Sequence, residues 1–119
     1  MNTYDEAYSL AKAIKESDEM KALSAAAEKI RKNPEAKKMV QEYITAQMAA
    51  DYAKLAGQKE DESAYSRLQD LAVLVSNNDD AQAYLQAFIR WNQVAADLQR
   101  IITEAMSQGM DILEADHHD

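Results

Sequence analysis

Residues 79–107 read DDAQAYLQAFIRWNQVAADLQRIITEAMS, and their spacing decides the fold. Ala81, Tyr84, Phe88, Trp91, Ala95, Leu98, Ile102 and Ala105 recur at alternating steps of three and four, the signature of one apolar helix face. That face carries the only Phe and the only Trp of the chain. A helix of 29 residues is about 43 Å long, whereas a compact domain of this size has a diameter of about 35 Å. The spacing therefore predicts a spine that overshoots a spherical fold, so that the monomer is elongated or is completed by a partner.

Working outward, Asn77-Asn78 ends the preceding helix and caps the spine, with Asp79 and Asp80 placed against its positive end. Tyr65, Leu68, Ala72 and Val75 form the seam of a fourth helix capped by Asp61. Gly57 stops a third helix that starts at Pro34, where Asn33 caps and proline tolerates the first helical position. Ahead of it, Met20, Leu23, Ala27 and Ile30 mark a second helix, and Tyr4, Ala7, Tyr8, Ala11 and Ile14 a first. Thr3 and Glu6 match a capping box, and Ser17 marks a break or a kink between the two. The reading is all-α: five helices in one bundle, with a long C-terminal helix and a dimeric state. Residues 1–109 form the domain, and residues 110–119 form a short acidic tail that frays. Connections of about four residues set consecutive helices side by side, and no internal repeat is read.

The third helix is apolar around more than half its circumference. Val40, Ile44, Met48, Tyr52 and Leu55 form one stripe, and Met39, Tyr43, Ala46, Ala50 and Ala53 a second beside it. Met39, Tyr43, Met48 and Tyr52 thus read as a second apolar surface. With Tyr84, Phe88, Trp91, Leu98 and Ile102 they make the expected core and interface seam. Gln47 and Asp51 fall between the stripes and require polar partners. A hydrogen bond to a neighbouring helix or a wet interface satisfies them; a ligand or metal role is the alternative.

Charge is uneven along the chain. Residues 1–59 carry 10 basic and 9 acidic side chains, whereas residues 60–119 carry 3 and 12. The acidic half disfavours contact with nucleic acid or anionic membrane. Lys29, Arg31, Lys32, Lys37 and Lys38 form the one basic cluster. It reads either as cations favourably placed at a helix C-terminus or as a polyanion contact, which would make the chain a nucleic-acid-binding accessory protein.

The residues present exclude most chemistry. No Cys is present, so thiolate nucleophiles, disulfides and iron–sulfur ligation are absent. Two glycines, Gly57 and Gly109, cannot build a phosphate-binding loop. His117 and His118 sit on the tail beside Asp116 and Asp119, where they could hold a stray divalent ion but carry no catalytic partner. Asp97 and Glu104 read as solvated. No apolar run nears the roughly 20 residues of a membrane span, and the first residues show no signal peptide. The expectation is a cytoplasmic protein that is not an enzyme and uses no cofactor.

Several marks together resemble one family. Ala13-Ile14-Lys15-Glu16-Ser17, Asn33-Pro34 with Ala36, Gln47, Leu68-Gln69, the Asn77 turn, Tyr84-Leu85 and Asp97-Leu98-x-x-Ile101-Ile102 occur in the order and spacing of the YlbF/YmcA family of small bacterial helical proteins. The resemblance spans residues 4–102. It implies a multihelical fold, dimers or higher oligomers, and no catalytic residues. For some members it implies cytoplasmic regulation in a complex with another protein, acting through an endoribonuclease on competence, biofilm formation and sporulation. Other short members have no assigned role. Iron–sulfur binding attached to the regulatory members has no ligands here, because this chain lacks Cys. The function expected is that of a helical adaptor or regulator that self-associates and docks onto a protein partner.

Overall fold

The computed structural model describes residues 2–59 and 61–115. Five helices follow one another: α1 (Thr3–Glu16), α2 (Asp18–Arg31), α3 (Pro34–Leu55), α4 (Glu62–Ser76) and α5 (Asp79–Met106), then a single 3₁₀ turn at Asp111–Leu113. There is no strand among the described residues. The all-α reading and its long C-terminal helix are thus the observed architecture.

Each boundary has a local cause. Asn2, not Thr3, caps α1: its Oδ1 accepts from the Tyr4 amide at 2.8 Å, and Thr3 is already helical. The short Asx side chain reaches the second amide and displaces the expected capping box. Ser17 makes a true break rather than a kink. Its backbone is extended, its Oγ donates to the Ile14 carbonyl at 2.6 Å, and it accepts from the Met20 amide at 3.2 Å. One hydroxyl thereby closes α1 and opens α2. Gly57, at φ 72°, ends α3 with the paired bonds Gln58 N to Ala53 O and Gly57 N to Lys54 O, a left-handed closure that reverses the chain.

The α2–α3 and α4–α5 connections behave differently. Each has two residues, Lys32-Asn33 and Asn77-Asn78, with no left-handed residue in either. Without that reversal the chain turns a corner instead of forming a hairpin. Consecutive helices therefore do not all lie side by side, as loop length alone suggested. The main partnerships are α2 with α5 and α3 with α4.

The two corners match at an offset of 45 residues. Leu23, Ala26, Ala27, Ile30, Asn33 and Ala36 correspond to Leu68, Leu71, Ala72, Val75, Asn78 and Ala81. Both asparagines cap: Asn33 Oδ1 accepts from Ala36 N at 3.1 Å, and Asn78 Oδ1 from Ala81 N at 3.0 Å. Both alanines are 0 % exposed. Under the exchange of α2 with α4 and of α3 with α5, the α2–α5 pairing becomes the α4–α3 pairing. The fold is thus a pseudo-two-fold pair of helix corners, which the sequence reading missed because the shared positions are few and chemically ordinary.

The centre of this arrangement is the cluster Ile30, Ala36, Val40, Val75 and Ala81, flanked by Met39, Tyr43, Ile44, Tyr84 and Leu85. The first turns of α3 and α5 meet there, each contributing a fully buried alanine to the cluster. Two positive helix ends are thereby brought together, and Glu35, Asp79 and Asp80 offset them. Asn33 Nδ2 also donates to Asp80 Oδ2 at 3.1 Å, tying one cap to the other helix. From this centre the helices diverge into a flat molecule of 49 × 44 × 16 Å.

Ala81 is fully buried in the central cluster, so leucine at that position overfills it. Ala81→Leu is expected to destabilise the chain by about 1–3 kcal/mol in chemical denaturation. Ala105→Leu, on the exposed end of the same helix, is expected to change it by less than about 0.5 kcal/mol.

Candidate interaction surface

The buried core is small. Among the described residues it consists of Ala26, Ile30, Ala36, Val40, Leu71, Val75, Ala81 and Ala87, with no large side chain completely enclosed. The radius of gyration is 19.0 Å, against about 13.5 Å for a compact chain of this length. The accessible surface is 9851 Å², roughly half as much again as the ~6,400 Å² of a compact monomer of this mass.

Helix lengths explain the surplus. α2, at about 21 Å, covers only half of α5, at about 42 Å. Tyr84, Phe88, Trp91 and Leu98 are half-buried along the paired stretch, and the Tyr84 and Phe88 rings stack with centroids 6.1 Å apart. Beyond it, Ile101, Ile102 and Met106 emerge into solvent. α3 repeats the pattern against the shorter α4. Met39 and Tyr43 flank the core, whereas Met48 and Tyr52 are exposed together with Leu55 and Tyr65. The nine residues expected to form core and interface thus divide by distance from the centre.

Gln47 and Asp51 find their partners on their own helix. Gln47 Nε2 donates to Asp51 Oδ1 at 3.0 Å, and the Tyr43 hydroxyl donates to Gln47 Oε1 at 3.4 Å. This is a ladder over about two turns of α3, with neither a neighbouring helix nor an enclosed cavity involved. Asp97 and Glu104 flank Arg100 at 3.8 Å each, on an exposed face. Among the described residues no group of three or more His, Asp or Glu side chains is arranged to hold a metal ion. His117 and His118, with Asp116 and Asp119, lie outside the described residues. No helix is long and apolar enough to cross a membrane among the described residues.

Lys29, Arg31, Lys32, Lys37 and Lys38 are exposed around the first corner. Arg31 pairs with Glu28, and Lys38 lies 4.0 Å from Glu42. Lys37 has no ion-pair partner among the described residues. Beside them runs an open groove of about 390 Å³ with Ile30, Val40, Ile44 and Tyr84 on its floor and Arg31 and Lys37 on its rim. Periodicity could not reveal this groove, because its walls come from three helices. A second feature outside the expected surface is Met110, Ile112 and Leu113, apolar side chains exposed on the turn after Gly109.

Because the ladder on α3 is local, Gln47→Ala is expected to cost less than about 0.5 kcal/mol in thermal melts. A loss above 1 kcal/mol would show that Gln47 engages something beyond its own helix.

The family model described as "Control of competence regulator ComK, YlbF/YmcA" matches residues 3–107. A UPF0342 protein of Caldicellulosiruptor saccharolyticus is 39 % identical over 105 residues, covering 88 % of each chain. One from Symbiobacterium thermophilum is 35 % identical over 103 residues, covering 87 % of this chain and 92 % of its own. One from Staphylococcus haemolyticus is 27 % identical over 108 residues, covering 91 % and 95 %. With a match that runs through all five helices, the chain belongs to the YlbF/YmcA family.

Proposed function

We propose that the chain is a non-enzymatic helical adaptor of the bacterial cytoplasm that self-associates and, so assembled, docks onto a protein partner in regulation. The observation that carries this reading is the surplus surface. About 3,400 Å² more is exposed than a compact monomer of this mass exposes. A standard interface needs only about 800 Å² per partner. Much of the excess is apolar and sits on ordered helices, at Met48, Tyr52, Leu55, Ile101 and Met106. Such side chains on a rigid scaffold favour association over solvation.

The family's description links it to control of a competence regulator, which supports a regulatory role. An adaptor upstream of RNA processing and developmental programmes fits that link without any catalytic group in this chain. The aliphatic floor of the groove also argues for a protein ligand rather than a nucleic-acid backbone, which is met by cations and polar donors.

Light scattering on the purified chain is expected to give at least twice the 13.3 kDa of one copy. The double variant Ile101→Lys with Met106→Lys alters residues 55 % and 71 % exposed in one chain. It is expected to keep the helical circular dichroism while shifting the mass toward a single copy. A native chain that stays monomeric at every concentration would end this reading.

A further inference from the structure

The two corners share their caps, their alanines and their apolar spacing, but not their charge. Lys29, Arg31, Lys32, Lys37 and Lys38 of the first corner correspond to Leu74, Ser76, Asn77, Gln82 and Ala83 of the second. Five cations stand where the equivalent corner has none. Because the second corner holds the same geometry with neutral residues, the cations are not required to end a helix or to turn the chain. Arg31 and Lys38 lie beside Glu28 and Glu42 of their own helices, whereas Lys29, Lys32 and Lys37 have no ion-pair partner among the described residues.

The same chain carries the complementary group. After α5, Gly109 at φ 81° turns the backbone, and residues 110–114, Met-Asp-Ile-Leu-Glu, follow with a 3₁₀ turn at their centre. Ile112 is 83 % and Leu113 72 % exposed, and Asp111 and Glu114 flank them. An acidic, apolar segment thus stands in solvent, and a basic-rimmed, apolar-floored groove stands open.

The two cannot meet within one copy. Tyr84, on the groove floor, and Met106 are 22 residues apart on one helix, about 33 Å. The three residues Ser107–Gly109 reach at most about 10 Å. The segment of one copy therefore reaches a groove only on another.

Resting on the self-association proposed above, we infer that residues 110–114 of one copy dock into the α2–α3 groove of a second. Ile112 and Leu113 cover Ile30, Val40 and Ile44, while Asp111 and Glu114 face Lys37 and Arg31. Two antiparallel copies satisfy the contact twice about a two-fold axis, since each α5 then delivers its end to the other's corner. The free end of α5 and the unexplained cations of the first corner become one interface.

The absence of Cys makes the test direct. Single variants Thr45→Cys, at the groove wall, and Ile112→Cys, on the segment, are mixed as full-length chains and oxidised mildly. The expected product is a mixed disulfide between the two variants, formed at low salt and suppressed about tenfold at 1 M salt. Charge reversal adds a second readout by sedimentation. Asp111→Lys with Glu114→Lys is expected to weaken self-association about tenfold, as is Arg31→Glu with Lys37→Glu. Mixing the two reversed chains should recover association, because in the mixed pair the reversed segment faces the reversed groove and the native segment faces the native groove. Chains that associate without forming the mixed disulfide overturn this docking and leave self-association standing. Chains that do not associate overturn both. RNA held by Lys37 in a salt-dependent complex, with no mixed disulfide, would reassign the cations to a nucleic acid.

Discussion

The fold depends on two small, fully buried side chains in one cluster. Ala36 and Ala81 lie three residues after the asparagine caps of α3 and α5, at the point where the two helix ends meet, and neither is exposed. Any larger side chain would hold those ends apart and separate Ile30 from Val75. Helix ends of the same polarity repel, so the junction also needs Glu35, Asp79 and Asp80, and the Asn33–Asp80 hydrogen bond joins the two. Small volume and compensating charge at one point set where both long helices begin, and hence how each shorter helix packs.

From that junction the lengths of the elements do the rest. α5 and α3 run past α2 and α4, and their outer halves are left without a partner. A chain of this size has enough apolar residues for a compact core, yet here they are spread over a thin, flat body. Self-association as proposed would couple stability to assembly, because it would cover surface that a single copy leaves exposed. In a single copy Phe88 and Trp91 are only half-buried.

The pseudo-two-fold relation separates what the fold requires from what it does not. Residues common to the corners cap helices, fill the centre or let backbones approach. Residues that differ are free of those duties, and the five cations of the first corner are the largest such difference. Lys29 and Arg31 stand in the last turn of α2, whereas α4 ends at the equivalent positions without a cation, so a cation is not required to end a helix at this corner.

The sequence by itself determined the elements. Alternating steps of three and four, Asn33-Pro34, Asn77-Asn78, Asp61 and Gly57 encode helix faces and ends through local chemistry, and the five helices follow them. It also excluded thiolate chemistry and phosphate loops, because the residue types are missing. It misplaced the cap of α1, where Asn2 competes with Thr3 for one turn, and it missed the repeat, whose marks are ordinary residues 45 positions apart. Tertiary structure alone decided the pairing of α2 with α5, the exposure of Met48 and Ile102, and the local satisfaction of Gln47 by Asp51. The groove likewise exists only once Ile30, Val40 and Tyr84 come together from three helices. Periodicity shows which face of a helix is apolar, whereas the angle of each corner decides how far along that face a neighbour reaches.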